Sequence, residues 1–216
     1  MQPMVASGAA AAVLTGPRRA VRVEAVTPHA VYLATGDADC PALCLADRAA
    51  TRVPCALVVG AVPAVAVGDQ GHAGRGGLWL PGFQGRVARW WRPPRPRRVG
   101  AVLSMEPFTA PPLDVGALLG RGPGLTPFGD DVLAGALVTL GALGAPAFER
   151  LGAQVRALAP ARTTFVSAAL LHHAARGECV PELHAFLTGT GTLDALLAVG
   201  HTSGVGLALG VLAVLS

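Results

Sequence analysis

Two adjacent carboxylates, Asp130 and Asp131, close the stretch GRGPGLTPFGDD that begins at Gly120, and a wholly apolar run, VLAGALVTLGALGA, follows at once. A single aspartate there has an ordinary explanation. Thr126 is predicted as a helix N-cap, Pro127 as the first helical residue and Leu125 or Phe128 as the anchor of the loop in the core. The helix dipole then favours each nearby negative charge by about 0.3–1 kcal/mol. Two carboxylates about 5 Å apart, however, repel by roughly 3 kcal/mol at an effective dielectric near 20. If both are buried, a cation is expected beside them, either Arg121 or a bound Mg²⁺ held by Asp130 and Asp131. If both are exposed, water screens them. Gly120, Gly122 and Gly124 permit positive φ, and their amides can form an anion-binding nest, with Gly129 at the helix start. The spacing is not the dinucleotide fingerprint, and the preceding DVGALLG has a helical pattern, so a Rossmann site is rejected.

Two further segments carry polar groups at helix starts. ARTTFVSAALL places Thr163 and Thr164 as caps, with Ser167 in the first turns. GHTSGVGLALG places His201, Thr202, Ser203 and Gly204 just before the last apolar run. Helix N-termini with free amides take anions readily. His201 stands in a glycine-rich turn beside hydroxyls, which makes it the histidine to consider for acid–base or ligand-contact work; a hydrogen-bonded loop role is as well supported. His172 and His173 lie within a helical pattern, where packed or solvated roles are the default. No Ser/His/Asp or Cys/His triad pattern is present.

Composition narrows the chemistry. All 17 basic residues are arginine, so Schiff-base chemistry and a Walker lysine are excluded. Separately, no nicotinamide, flavin, pyridoxal phosphate or haem is expected. Cys40, Cys44, Cys55 and Cys179 match no zinc spacing and are expected as small buried thiols of a cytoplasmic protein. Val132–Ala145 and Gly204–Leu215 fall short of the roughly 18–20 residues of a membrane span. The apolar stretch near the start resembles part of a signal peptide, but no basic residue precedes it, which argues against secretion.

The elements that must position these groups differ between the halves. Short β-type runs, AVRVEAV, AVYLATG, PALCLAD, VPCALVVG and GLWLPG, lie between Val21 and about Val87, with turn signals at Gly36-Asp37 and Gly76-Gly77. They predict a small antiparallel barrel or sandwich. Longer helical patterns follow, expected near Asp114–Leu119, Asp130–Leu143, Pro146–Leu158, Thr164–Arg176, Pro181–Thr188, Leu193–Val199 and Gly204–Leu215. The fold class is therefore α+β: a β-rich domain over residues 1–100, with a short N-terminal extension and an Arg/Pro linker, packed on an α-helical domain over 101–216 that carries the glycine-loop/Asp-Asp motif. GRVARWWRPPRPRR, with six arginines, Trp90 and Trp91, has a nucleic-acid flavour. The simpler expectation is a solvated linker with the tryptophans pinning one domain to the other, and one or two arginines facing an anion.

GRGPGLTPFGDDVLAG resembles the signature of the AllH-like family, and TTFVSAALLHHAARGE, GHTSGVGLALG and RWWRP resemble further blocks of it, over most of Val21–Leu215. Members of that family include a subunit of the oxamate carbamoyltransferase of allantoin breakdown, in which oxalurate and phosphate give oxamate and carbamoyl phosphate. The resemblance implies a cytoplasmic protein of purine degradation, other subunits as partners and a small anionic substrate (carbamoyl phosphate, oxalurate or phosphate). No membrane partner is implied, and nucleic acid is disfavoured. It carries over onto Gly122, Gly124, Thr126, Pro127, Gly129, Asp130, Asp131, Ser167, His201, Ser203 and Gly204. Phe128 departs from the small or polar residue expected at its position. Asp130, Asp131 and His201 are the expected catalytic groups. Arg121 and Thr202 join the glycines and hydroxyls as ligand contacts. The alternative is a non-catalytic structural or regulatory partner subunit.

Overall fold

The structure, a computed structural model, describes residues 1–100 and 108–216. The chain divides into two compact units, Met1–Pro93 and Pro94–Ser216.

The first unit is a closed eight-stranded barrel of strands β1 (Gln2–Ser7), β2 (Arg19–Val26), β3 (Ala30–Ala34), β4 (Ala42–Ala46), β5 (Ala56–Val58), β6 (Gln70–Gly74), β7 (Gly77–Leu80) and β8 (Phe83–Trp91). The order around the barrel is β1-β5-β4-β3-β2-β6-β7-β8, with parallel pairing only at β1–β8 and β4–β5. Met4, Leu33, Leu43, Leu45, Leu57 and Leu78 fill the interior. Closure removes the exposed strand edges that an open sheet of this size would present.

Three strands were not among the expected runs. The stretch before Val21 is no loose extension, because β1 pairs with both β5 and β8, and a 3₁₀ turn (Gly8–Ala10) and helix α1 (Ala11–Thr15) follow it. QGHAG, poor in β-branched residues, forms β6 because its glycines admit close neighbours. A Cβ on Gly71 would lie 2.1 Å from Trp79 O. Phe83–Trp91 is a barrel strand and not a linker: Phe83 and Gly85 point inward while Gln84 and Arg86 point out. Trp91 Nε1 donates to Ala56 O, within the barrel unit, under the guanidinium of Arg52.

The second unit holds α2 (Val115–Leu118), α3 (Phe128–Leu143), α4 (Ala147–Arg162), α5 (Phe165–Ala174), α6 (Pro181–Thr188), α7 (Leu193–Leu197) and α8 (Ser203–Leu215). Helix α3 is apolar on nearly every side because it is the central helix, and α8 is its main neighbour. Glycines make that approach close. A Cβ on Gly135 would lie 2.2 Å from Leu207 O, and one on Gly210 would lie 2.1 Å from Val132 O. Helix α4 continues past the expected end, through Pro160 to Arg162; the proline removes one hydrogen bond without stopping the helix. The start of the unit is strapped along α5 and α6. Cys179 N donates to Pro94 O, Gly100 N donates to Leu187 O, and Arg95 pairs with the buried Glu178. Arg95 is therefore committed to Glu178, not held for an anionic ligand. Glu178 also meets Nδ1 of buried His173 at 2.6 Å.

All four cysteines are buried thiols outside any disulfide, as expected. Among the described residues, no helix is long and apolar enough to cross a membrane.

Candidate functional site

Helices α3, α5 and α8 bring their N-terminal ends to one place, and hydroxyl groups hold them there. Thr126 Oγ1, just before α3, lies 3.0 Å from Ser203 Oγ at the start of α8. Thr164 Oγ1, the N-cap of α5, donates to Leu125 O at 2.5 Å and accepts from Ser167 N at 3.0 Å. Thr126 is thus not a cap. Pro127 occupies the N-cap position of α3 without a side-chain hydrogen bond, and the Thr126 hydroxyl turns to Ser203 instead. Leu125 does not anchor the loop, being 40% exposed; Phe128 is half-buried.

Both aspartates are buried, Asp130 to 1% and Asp131 to 8% exposure. Arg121 is not the cation that relieves them. Among the described residues neither aspartate forms an ion pair, and Arg121 is exposed. Asp130 is satisfied by donors. Its Oδ1 accepts from Gly120 N at 2.7 Å, and its Oδ2 accepts from Ser167 Oγ at 2.6 Å and from Thr163 Oγ1. The acceptor that the glycine-loop amide of Gly120 meets is the chain's own Asp130 carboxyl. Thr163, expected as a cap, is the C-cap of α4, and its hydroxyl serves Asp130.

Asp131 is different. Its Oδ2 is buried with no hydrogen-bond partner. Burial pushes its carboxyl up to about 7, a hydrogen bond from Ser203 pulls it down, and the Asp130 charge pushes it up again. Below about pH 7 a proton on Asp131 thus relieves the like-charge cost estimated above. Donors surround Asp130 where a metal ion would require acceptors, and Asp131 offers one free carboxyl oxygen. The pair by itself does not fit Mg²⁺.

The glycines behave as their positions suggest. Gly120, Gly122 and Gly124 have φ of +75°, +116° and +97°. A side chain on Gly120 would strike Arg162 O at 2.1 Å, so close approach, and not only φ, requires glycine there. The amides of Gly122, Gly124, Leu125 and Thr126 lie on an exposed loop and have no protein acceptor among the described residues. Gly129 N is used by Arg121 O and Gly204 N by Val199 O, so neither is free for a ligand. Helix α8 starts without a side-chain cap from Thr202, which leaves the Ser203 and Val205 amides as donors. His201 and Thr202 are exposed, and no hydrogen bond ties His201 to the cluster. Arg121 and Phe128 line a pocket of about 410 Å³ with Pro111, Pro112, Ala117 and Leu118. Phe128, the departure from the family pattern, gives that pocket an apolar wall.

One important contact had no signal in the polar motifs. A Cβ on Gly206 would lie 2.6 Å from Asp131 Cβ, so this glycine decides how closely α8 approaches the unpartnered carboxyl. The small residues at Gly206 and Gly210, four apart, were the available clue.

Residues 118–215 match the family model described as oxamate carbamoyltransferase subunit AllH. That span contains the three helix N-termini, both aspartates and Ser203, and over it the resemblance read from the sequence is borne out. The barrel and RWWRP lie outside the matched residues. No curated protein and no solved structure matches the chain.

Proposed function

We propose that the chain is a subunit of an oxamate carbamoyltransferase whose helical unit binds a small anionic substrate at the joined N-termini of α3, α5 and α8. The observation that carries the reading is the unpartnered, buried Oδ2 of Asp131 beside the Ser203–Thr126 hydroxyl pair. Free loop amides at Gly122, Gly124, Leu125 and Thr126 and the uncapped start of α8 supply the donors that an anion needs.

In phosphorolysis of oxalurate, a phosphate oxygen forms a bond to the ureido carbonyl carbon and the C–N bond to oxamate breaks. The proton carried by the phosphate ends on the departing nitrogen. A carboxyl titrating near 7 can pass that proton, because its affinity for it matches the working pH. Asp131 takes this role, Asp130 holds the glycine loop and α5 in place, and the exposed His201 and Thr202 border the ligand.

The test is titration calorimetry of the full chain with phosphate and with oxalurate, followed by carbamoyl phosphate formation with the other subunits present. Binding that is lost in Ser203→Ala and keeps its strength but loses its pH dependence in Asp131→Asn supports the reading. Absence of binding to the isolated chain, with full activity of Asp131→Asn in the assembly, makes the chain a non-catalytic partner.

A further inference from the structure

The outer surface of β6–β8 and the approach to β2 carry arginines that meet no carboxylate among the described residues. His72 stands opposite Trp79, Trp79 opposite Gln84, and Gly77 opposite Arg86, so these residues share one face. The rim of the Trp79 ring lies close to Gly77, where a Cβ would come within 2.6 Å of it. Arg18 stacks on the ring, its guanidinium carbon 4.1 Å from the ring centre. The turn from β6 to β7 adds Arg75, the one non-glycine residue with positive φ among those described. Arg18, Arg75 and Arg86 are exposed, and none pairs with a carboxylate among the described residues. Elsewhere on the barrel Arg19 is held by Asp37 and Arg22 by Glu24. From Gln70 to Pro93 the chain has no acidic residue. Met1–Pro93 has nine arginines against five acids and Pro94–Ser216 has eight against eight, so the whole net charge of +4 belongs to the barrel.

We propose that this face docks an acidic surface of a partner protein. A guanidinium stacked on an aromatic ring keeps its N–H edge fixed and turned outward, the geometry that meets carboxylates two bonds at a time. Nucleic acid is the poorer fit. Arg18 already covers one face of the Trp79 ring and Gly77 crowds its rim, which leaves less of the ring for a base to stack on. The proposal stands on the barrel alone and does not depend on the ligand site of the helical unit.

The experiment measures binding of the full chain to immobilised poly-L-glutamate and to a single-stranded oligonucleotide. It compares the wild type with Arg18→Glu/Arg75→Glu/Arg86→Glu and with Arg48→Glu/Arg92→Glu/Arg98→Glu, which changes net charge equally. The expected result is poly-L-glutamate binding weakened at least about tenfold by the first triple change and little by the second, and weakened by Trp79→Ala, which frees the Arg18 side chain. If the first triple variant does not fold, the Gln versions of the same three changes give the same contrast. Equal losses in both triple variants, no binding by the wild type, or tighter oligonucleotide binding through the same arginines overturns the proposal.

Discussion

Ser167 reaches from α5 to Asp130 with a 2.6 Å hydrogen bond, while the neighbouring Asp131 keeps one oxygen buried and unpartnered. Two carboxylates joined by one peptide bond thus have different work. Asp130 ties the glycine loop and α5 to α3. Asp130→Ala leaves Gly120 N, Thr163 and Ser167 without their acceptor, and the expected loss is about 3 kcal/mol or more. Ser167→Ala removes one of the three donors and is expected to cost about 1–2 kcal/mol. Urea unfolding followed by circular dichroism gives both values. An Asp130→Ala protein as stable as the wild type would contradict this division of roles.

Asp131 predicts a stability that depends on pH in an unusual direction. Its carboxyl titrates at about 7 in the folded chain, against about 4 in an unfolded one. The folded state therefore holds a proton that the unfolded state has lost. The associated stability is complete below about pH 4, falls by up to roughly 1.4 kcal/mol per pH unit as pH rises, and levels off above about 7. Asp131→Asn cannot ionise, so its unfolding free energy is expected to stay level across that window, apart from other groups, and to exceed that of the wild type at pH 8. Phosphate affinity should instead be level below about pH 7 and fall as pH rises through it, because only then does the folded chain carry an ionised Asp131 that repels the anion. Matching slopes for the two proteins would refute the elevated carboxyl.

The motif around Gly120–Asp131 was legible because its glycines, proline and paired acids are local signals, and the helices from α3 to α8 were legible from their apolar runs. Long-range partners were not. Nothing near Thr163 in the sequence says that its hydroxyl serves a carboxylate 33 residues earlier, and its position before α5 made a cap the natural expectation. Thr126 misled for the same reason, its partner Ser203 being 77 residues away. In the barrel, β6 and β8 were hidden by glycines and arginines, residue types that usually interrupt strands. They persist there because Gly71 and Gly85 admit side chains and backbone from neighbouring strands, a tertiary demand that local propensity does not carry.

Glu178 governs the acid limit of the helical unit. Burial pushes its carboxyl up, but the His173 and Arg95 hydrogen bonds outweigh burial and bring it down to about 2. A lowered carboxyl contributes stability above its unfolded value of about 4.3, and that stability is lost as pH falls toward 2. Glu178→Gln is expected to cost about 2 kcal/mol at neutral pH, since buried His173 loses its charged partner. The difference from wild type should vanish near pH 2. Thermal melts from pH 2 to pH 7 measure this, and a constant difference would count against the pairing.

Gly206 sets the distance between α8 and Asp131, which makes it a test of the site's geometry as well as its stability. In Gly206→Ala the new Cβ meets Asp131 Cβ at 2.6 Å and Phe128 O at 3.1 Å, so α8 must shift, at a cost of about 1–3 kcal/mol. The shift draws Ser203 away from Thr126 and Asp131. Because the Ser203 hydrogen bond holds the Asp131 carboxyl down, its loss should move the pH midpoint of phosphate binding above 7. Gly210→Ala is the matching control. Its Cβ strikes Val132 O at 2.1 Å, one turn further along α8, so it should destabilise the packing of α3 on α8 without moving that midpoint. Equal effects of the two substitutions on both melting temperature and midpoint would show that α8 acts only as packing and that Ser203 has no hold on Asp131.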